Sequence, residues 1–352
     1  MTANAKRLAY FENWIDPVAL KVLGARADIE LVRLEHAAAD ADTWAALARA
    51  HGYQILPRGD LREPWFGNAA LLQRCPRLLA ISSTGAGYDM VDVDACTRAG
   101  VIVVSQTGTN KEAVAEHALG LMIALSKKIA LTDKALRTGQ TVDRYAFTGS
   151  DVLGKTVGIV GIGHIGTRVA ELCKGLLRMT VLACDPHLSA IEIAARGARK
   201  VEIDELLSSA DFVTIHCPRN DATFGMMGRA QFRRMKPTAY FLNTARGGIH
   251  KEEELAEALA GKRIAGAGID VFLKEPPPPD HPLLAFDNVI ASPHIAGVTH
   301  EAMHEMARAA AEQWIALLAG EVPARLVNPA AWPTYCDRFE RELGFRPQAM
   351  IA

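Results

Sequence analysis

The sequence has no apolar run that approaches the ~20 residues a helix needs to cross a bilayer. Glu12 and Asp16 interrupt the apolar stretch nearest the N-terminus, which excludes a secretory signal peptide. The formal net charge of −1 provides no long-range field for nucleic acid or for an anionic membrane. Two classes of protein remain: an enzyme or sensor that binds small molecules, and an interaction protein that recognises its partner by shape.

The cysteines lack the spacing of a metal site or a disulfide framework. They contain no C-x-x-C pair, and several lie within apolar runs such as VLACDP. They therefore resemble small core residues in a reducing compartment, and we expect a cytoplasmic location. The chain has 352 residues, of which 49% are hydrophobic, so it is long enough for two domains with separate cores.

Strand-like and helical patterns alternate along the chain. In the first third, the apolar runs IELVRL, GYQILP, LLAISS and GVIVVS predict buried parallel strands. The segment DTWAALARAHG predicts a helix with Asp42 as N-cap and Gly52 at its end. A second series begins at KTVGIVGIGHIG and continues through TVLACDP, FVTIHCP, AYFLNTARG, IAGAGIDVF and NVIASPHIAG. This series predicts a doubly wound parallel sheet.

The segment NKEAVAEHALGLMIALSKKI, near 110–130, predicts a long helix with more apolar residues than one core-facing stripe needs. Such a helix is either sandwiched between domains or covered by another subunit, and we favour a homodimer. The helix after residue 299 is expected to return to the first domain. The predicted domains are therefore 1–108 with 300–352, and 109–299.

The segment VGIVGIGHIG places Gly161, Gly163 and Gly166 in a G-x-G-x-x-G pattern between an apolar strand and a helix. The first glycine permits a tight turn, the second lets the backbone approach a pyrophosphate, and the third lets the helix pack closely on the strand. Asp185 ends the next strand about 20 residues later, where the adenosine ribose needs an acceptor. Because a carboxylate repels a 2′-phosphate and no arginine follows immediately, the pattern predicts NAD rather than NADP.

Three later strands are followed by NTARGGI, DVFLKEPP and SPHIAG, which carry Arg246, Glu275 and His294. Ligands bind at the carboxyl ends of strands in an open α/β sheet, so these side chains are expected to converge. The arginine fork holds a carboxylate or polarises a carbonyl, and the histidine moves a hydroxyl proton near neutral pH. The glutamate fixes the histidine tautomer. This set is the minimum for hydride transfer at a carbon that bears oxygen beside a carboxylate.

The stretch HEAMH, at 300–304, matches the zinc-protease pattern H-E-x-x-H. On a helix, His300 and His304 lie to one side of the apolar stripe, towards charged residues. The nearest downstream candidate for a third ligand, Glu321, lies beyond Gly320, where the helix ends. We therefore predict no metal site and place both histidines on the helix surface. The apolar stripe consists of Met303, Met306, Ala310, Trp314 and Leu317.

From SSTGAGYDMVDVDACTRAGVIV, which begins at residue 82, through PHIAGVTHEAM, the sequence resembles the NAD-dependent D-isomer-specific 2-hydroxyacid dehydrogenases. This family includes 3-phosphoglycerate dehydrogenase and glyoxylate/hydroxypyruvate reductase. The motifs GIGHIG, NTARGG, DVFLKEPPPP and SPHIAG have the family form at the family's intervals, whereas the chain ends match less closely. The resemblance implies an α/β fold with two Rossmann-like domains. One is a doubly wound, parallel-sheet NAD domain; the other is a smaller, flavodoxin-like substrate domain formed by both chain ends.

The resemblance also implies residue roles: Arg246 binds the substrate, His294 is the acid/base and Glu275 is the partner of His294. It implies dimerisation largely through the cofactor domain. The implied cofactor-binding residues are Gly161, Gly163, His164, Ile165, Gly166, Asp185, Cys217, Thr244, Ala245, Asp270 and Gly297. The implied substrate-binding residues are Asn110 and the loop Gly85, Ala86, Gly87 and Tyr88, which offers backbone N–H groups to a carboxylate.

The resulting hypothesis is a NAD-dependent oxidoreductase that interconverts a D-2-hydroxy acid and its 2-oxo acid. One alternative is a phosphite- or formate-type dehydrogenase on the same fold, although Glu275 argues against the formate type. The other is a NAD(H)-sensing corepressor that keeps the three residues but works by recruiting partners. The substrate side chain stays open, because Arg58 or Arg62 would suit a second anionic group and Trp65–Phe66 an aromatic one.

Overall fold

The computed structural model describes residues 5–57, 61–139 and 143–350. Its strands are β1 Lys6–Phe11, β2 Ile29–Leu34, β3 Gly52–Ile55, β4 Ala80–Ser83, β5 Ile102–Val104, β6 Thr156–Val160, β7 Thr180–Cys184, β8 Arg199–Lys200, β9 Phe212–Ile215, β10 Tyr240–Asn243, β11 Gly266–Ile269 and β12 Val289–Ala291.

Helices alternate with these strands. They are α1 Val18–Gly24, α2 Asp40–Leu47, α3 Ala69–Arg74, α4 Val93–Ala99, α5 Lys111–Ser126, α6 Ile129–Arg137, α7 His164–Leu177, α8 Ala190–Ala195, α9 Ile203–Ser209, α10 Arg229–Arg234, α11 Glu252–Ala260, α12 His300–Leu318 and α13 Trp332–Leu343. Short 3₁₀ helices span Arg144–Phe147, Pro282–Ala285 and Pro329–Ala331.

The chain divides into two compact units. Unit 1 comprises Met1–Asn110 and His300–Ala352, and unit 2 comprises Lys111–Thr299. The sheet of unit 1 has the order β2-β1-β3-β4-β5, which is the flavodoxin-like order. The sheet of unit 2 has the order β12-β11-β10-β9-β6-β7-β8, which contains the dinucleotide-binding order with one further strand. All paired strands in both sheets are parallel, and the predicted fold class is confirmed.

Unit 1 is completed by the returning C-terminal helices. Trp314, on α12, is fully buried, and its indole Nε1 donates to Oε1 of Gln54 on β3 at 2.7 Å. Gly52 makes room for this ring, because a Cβ at that position would lie 2.5 Å from Trp314 Cζ3. Helix α13 contributes four buried side chains to the same core, namely Trp332, Tyr335, Cys336 and Phe339.

Unit 2 has apolar clusters in which the sheet packs against its helices. The strands are almost continuously apolar, as in FVTI of β9, whose four residues are all buried. Helix α5 packs on α7 and on β10 to β12, and 8 of its 16 residues are buried. Contacts within the chain therefore cover much of the apolar surplus of this helix.

The boundaries of helix α2 differ from the sequence prediction. Helix α2 begins at Asp40, with Ala39 rather than Asp42 as its N-cap, and it ends at Leu47 rather than at Gly52. Asp42 lies in the first turn, where its carboxylate interacts favourably with the positive end of the helix dipole but does not cap the helix. Gly52 instead begins β3.

Candidate functional site

The glycine loop joins β6 to α7. Gly161 adopts a φ of 86°, and a Cβ there would lie 2.7 Å from the backbone N of Cys217. A Cβ on Gly166 would lie 2.3 Å from the carbonyl O of Gly161, so helix and strand make the close approach that the sequence predicted. A Cβ on Gly163 would meet no atom within 4 Å. This opening at the amino end of α7 fits a dinucleotide pyrophosphate.

Asp185 follows β7 and lies against the same loop. Its Oδ2 accepts from the backbone N of Ile162 at 3.1 Å, and its Oδ1 accepts from the backbone N of His187 at 3.0 Å. The loop is also held by Arg196 Nη1, which donates to the carbonyl O of Ile162 at 2.6 Å. Sequence reasoning considered only residues adjacent to Asp185 and missed this arginine, which lies on the following helical segment.

The other predicted cofactor residues lie on several loops of unit 2. His164 and Ile165 begin α7, Cys217 contacts Gly161, and Gly297 follows the buried Ala296. Burial raises the pKa of the Cys217 thiol to about 11, so it stays protonated at neutral pH. Thr244 is buried just after β10, beside Ala245, and its Oγ1 has no hydrogen-bond partner among the described residues. An orphaned hydroxyl there fits a polar group of a bound cofactor.

His294 and Glu275 form a hydrogen-bonded pair. The Nδ1 of His294 lies 2.8 Å from Oε2 of Glu275, and both side chains are largely buried. Glu275 Oε1 accepts from the backbone N of Phe272 at 3.0 Å, which fixes the carboxylate. The backbone φ of His294 is 57°, in the left-handed region that side chains with a Cβ rarely adopt. Such geometry at a titratable residue indicates a site that its surroundings hold in place.

Arg246 follows β10, Glu275 follows β11 and His294 follows β12, and these three strands are adjacent in this order in the sheet. The Nη1 of Arg246 donates to the carbonyl O of Ala245 at 2.7 Å. A Cβ on Gly247 would lie 1.9 Å from the carbonyl O of Phe272, so the loop after Arg246 packs directly on the segment that leads to Glu275. The three predicted residues thus follow three consecutive strands of one sheet.

Asn243 fixes the Arg246 loop and was missed from the sequence. Its fully buried amide Nδ2 donates to the carbonyl O of Arg246 and to Nδ1 of His250, both at 2.9 Å. Burial lowers the pKa of His250 to about 4, so the ring is neutral and Nδ1 is available as the acceptor. The sequence signal for the role of Asn243 is a polar residue at the end of an apolar strand.

Glu252 similarly restrains the Glu275 loop. Its Oε1 accepts from the backbone N of Leu273 at 2.6 Å, and its Oε2 lies 3.1 Å from Nε2 of His281. Glu252 begins α11, whose first turn also contains Glu253 and Glu254.

The predicted substrate loop, Gly85 to Tyr88, follows β4 in unit 1. The carbonyl O of Gly85 accepts from Gln106 N at 2.9 Å, and the carbonyl O of Gly87 accepts from Ser83 Oγ at 2.5 Å. Asn110 precedes α5, and its buried Oδ1 has no partner among the described residues. The substrate-binding role of these residues stays a prediction.

Three residues that the sequence suggests for recognition of the substrate side chain, namely Trp65, Arg62 and Arg58, belong to unit 1. Trp65 packs in the core against Phe11 and Trp44, so it does not line an aromatic pocket. Arg62 donates to the carbonyl O of His36 at 3.1 Å. Arg58 lies outside the described residues.

The HEAMH stretch forms the first turn of α12. His304 is 54% exposed, and its Nδ1 lies 3.4 Å from Oδ1 of Asp16. Of the predicted apolar stripe, Met306, Ala310, Trp314 and Leu317 are buried and Met303 is half-buried. Within the described ranges, no group of three or more His, Cys, Asp or Glu residues is arranged to hold a metal.

No helix in the described part of the chain combines the length and the apolar character required to span a membrane.

Residues 119–296 match the model of the D-isomer specific 2-hydroxyacid dehydrogenase, NAD binding domain. D-3-phosphoglycerate dehydrogenase of Archaeoglobus fulgidus is 40% identical over 261 residues, which cover 74% of this chain but only 49% of that protein. The chain therefore spans about half the length of this relative. Glyoxylate/hydroxypyruvate reductase B of Pectobacterium atrosepticum is 38% identical over 311 residues, or 87% of this chain and 94% of that one.

Solved structures show the same architecture. The apo structure of D-lactate dehydrogenase from Escherichia coli is similar with a TM-score of 0.74 and 27% identity, covering 91% of this chain and 99% of that chain.

Proposed function

The chain belongs to the D-isomer specific 2-hydroxyacid dehydrogenase family, and from this membership we propose that it interconverts a D-2-hydroxy acid and its 2-oxo acid with NAD. The observation that carries the proposal is the 2.8 Å contact between His294 Nδ1 and Glu275 Oε2, next to the strand end that delivers Arg246. A paired imidazole, a fixed carboxylate and a guanidinium supply proton transfer and anion binding together.

The pairing assigns the proton positions on His294. A carboxylate only accepts hydrogen bonds, so Nδ1 carries the proton towards Glu275 and the neutral ring keeps the lone pair on Nε2. During oxidation of the hydroxy acid, Nε2 takes the hydroxyl proton, and the anionic Glu275 stabilises the imidazolium. In the reverse direction, the imidazolium returns this proton to the carbonyl oxygen. Bound NAD supplies the nicotinamide C4 that accepts or donates the hydride.

Arg246 is proposed to bind the carboxylate or the carbonyl of the substrate. Its Nη1 donates to Ala245 O, which orients the planar guanidinium, and a guanidinium fork suits a carboxylate. The loop Gly85 to Tyr88 of unit 1 is proposed to offer backbone N–H groups to a carboxylate. In this assignment, unit 2 binds NAD through the glycine loop and Asp185.

The direct test is NADH oxidation with glyoxylate, hydroxypyruvate, 3-phosphohydroxypyruvate, pyruvate and phenylpyruvate as substrates. We expect turnover with at least one 2-oxo acid, and weaker activity with NADPH because Asp185 repels a 2′-phosphate. The absence of turnover across this panel, with NADH binding intact, would overturn the dehydrogenase proposal.

We also propose a homodimer in the cytoplasm. The six cysteines are free thiols and four are buried, which fits a reducing compartment. Ile129 and Leu136, on α6 directly after α5, are 53% and 69% exposed and offer an apolar surface for a second copy. Light scattering should give a dimer mass for the wild type and a monomer mass for Leu136→Glu. A monomeric wild type would contradict this assignment.

A further inference from the structure

The backbone at His294 needs external support. Its φ of 57° places a residue with a Cβ in the left-handed region, and such a conformation persists only where surrounding contacts over-determine it. The contacts that hold this segment therefore decide where the imidazole lies relative to Glu275.

Asp270 provides three of these contacts. It follows β11 and is fully buried. Its carbonyl O accepts from His294 N at 2.7 Å, its Oδ1 from Ile295 N at 2.9 Å and its Oδ2 from Ala296 N at 2.9 Å. One residue thus fixes three successive amides. Its carboxylate faces the His294 segment, and the place in the cofactor cleft that the resemblance implies stays a prediction.

Ser292 and His117 extend this arrangement to helix α5. Ser292 Oγ lies 2.6 Å from Asp270 Oδ1, and His117 Nε2 lies 3.1 Å from Ser292 Oγ. The carboxylate only accepts, so the one hydroxyl proton of Ser292 points to Asp270. The serine oxygen must then accept from His117, which requires a proton on His117 Nε2. That nitrogen is also 3.9 Å from Asp270 Oδ1, so a basic ring lies beside a buried carboxylate.

We infer that Ser292 and His117 are positioning residues for His294: the donor chain from His117 Nε2–H through Ser292 Oγ–H orients the Asp270 carboxylate that holds the left-handed segment. The inference rests on the proposed function, because it concerns the geometry of the proposed acid/base. Neither side chain needs to touch substrate or cofactor for this role. All the contacts lie within unit 2.

A positioning role predicts a loss of turnover rather than of binding. We expect Ser292→Ala to lower kcat about tenfold or more, the range for a lost hydrogen bond to a charged group, with KM for NADH within about twofold of the wild type. Ser292→Thr, which keeps the hydroxyl, should restore most of kcat. His117→Ala should resemble Ser292→Ala, and His117→Gln, whose amide can donate to Ser292, should recover activity.

The matched control is Ser126→Ala, a buried serine of unit 2 on α5, whose Oγ has no partner among the described residues. It should leave kcat unchanged. A wild-type kcat in Ser292→Ala would overturn the inference. So would an equal fall of kcat in Ser292→Ala and Ser292→Thr, because the hydroxyl would then be irrelevant.

A second readout does not depend on activity. In protein labelled with ¹⁵N-histidine, the His117 ring is expected as the tautomer protonated at Nε2, and Ser292→Ala should release this preference. A wild-type His117 ring protonated only at Nδ1 would overturn the inference. If the wild type reduced no 2-oxo acid, the proposed function would fail, while the tautomer measurement would still decide whether the donor chain exists.

Discussion

At the scale of single residues, His294 provides the sharpest test of the reaction. His294→Ala should lower kcat with the best 2-oxo acid by roughly 10²–10⁴-fold, the usual contribution of a positioned acid/base. NADH affinity, measured by fluorescence titration, should stay near the wild-type value because the glycine loop and Asp185 are untouched.

His304→Ala is the matched control for this substitution. His304 is also a partly exposed histidine beside a carboxylate, but its partner is Asp16 and it lies on the surface of α12. Its removal should leave both kcat and NADH affinity unchanged. Equal activities of the two variants would remove His294 from the reaction.

Substitutions in the glycine loop should separate effects on ligand binding from effects on stability. Gly163→Ala adds a methyl group to open space, so the free energy of unfolding should change by less than about 1 kcal/mol. The same methyl group should block the approach of a pyrophosphate and weaken NADH binding at least tenfold. Titration calorimetry and urea unfolding measure the two effects.

Gly166→Ala should mainly lower the free energy of unfolding rather than weaken NADH binding. Its Cβ would lie 2.3 Å from Gly161 O, so the backbone must shift, and stability should fall by about 1–3 kcal/mol. Gly175→Ala, in the same helix with no atom within 4 Å, should leave NADH binding unchanged and should not lower stability. NADH binding that survives Gly163→Ala would place the pyrophosphate elsewhere.

Residue positions were predictable from the sequence where the chemistry is local. The spacing of Gly161, Gly163 and Gly166 requires a turn, a cradle and a close contact from adjacent residues, and the structure has this geometry at all three. The supports of the site come from distant segments: Asn243 acts through a hydrogen bond to Arg246 O, and Ser292 meets His117 across 175 positions. No local pattern identifies such partners.

At the scale of elements, helix α13 forms part of the core of unit 1, although the sequence indicated no role for this segment. Phe339 is fully buried between Tyr335 and Phe345, with ring centroids 5.5 and 5.0 Å away. Phe339→Ala should lower the free energy of unfolding of unit 1 by about 3–5 kcal/mol. All five tryptophans belong to unit 1, so tryptophan fluorescence during urea unfolding reports on this unit.

Glu340→Ala is the neighbouring control. Glu340 is exposed and pairs with Arg346 at the surface, so its loss should cost at most about 1 kcal/mol. An equally small effect of Phe339→Ala would mean that α13 is not part of the core.

The six strands predicted for the second sheet were all confirmed, because each is an apolar run that ends in a turn. The prediction named neither β1, at an interior position of the first sheet, nor the two-residue β8 at the edge of the second. The sequence of β8 is Arg-Lys, so it carries no apolar signal. It is a strand only because its backbone pairs with β7. The surplus of apolar residues on α5 indicated a covered helix but did not identify the sheet strands that cover it.

At the scale of the whole molecule, buried neutral histidines set an acid limit on stability. Burial, and then Arg77, lowers the pKa of His51 in unit 1 to about 4. Burial alone lowers the pKa of His216 in unit 2 to about 3, and burial first of all lowers that of His250 to about 4. His51 Nδ1 accepts from Arg7 N at 2.9 Å, a contact that a protonated ring could not keep.

The direction of the pH effect follows from these depressed values. Unfolding restores the ordinary histidine pKa of about 6.5, so the unfolded chain binds more protons below that pH. The stabilisation is complete above pH 6.5 and is lost as the pH falls towards 4. At pH 5, each of these histidines should lower the free energy of unfolding by about 2 kcal/mol relative to pH 8. Lowered carboxyl pKa values, such as that of Asp28, act only at still lower pH.

Urea unfolding at pH 8, 6.5 and 5 measures this dependence, with tryptophan fluorescence for unit 1 and circular dichroism for both units. Both transitions should move to lower urea at pH 5. His51→Gln should flatten the pH dependence of the fluorescence transition, because Gln can accept from Arg7 N and does not titrate. His304→Gln, on the exposed surface, should leave that dependence unchanged. A fluorescence transition independent of pH between 8 and 5 in the wild type would mean that His51 does not stay neutral in the folded protein.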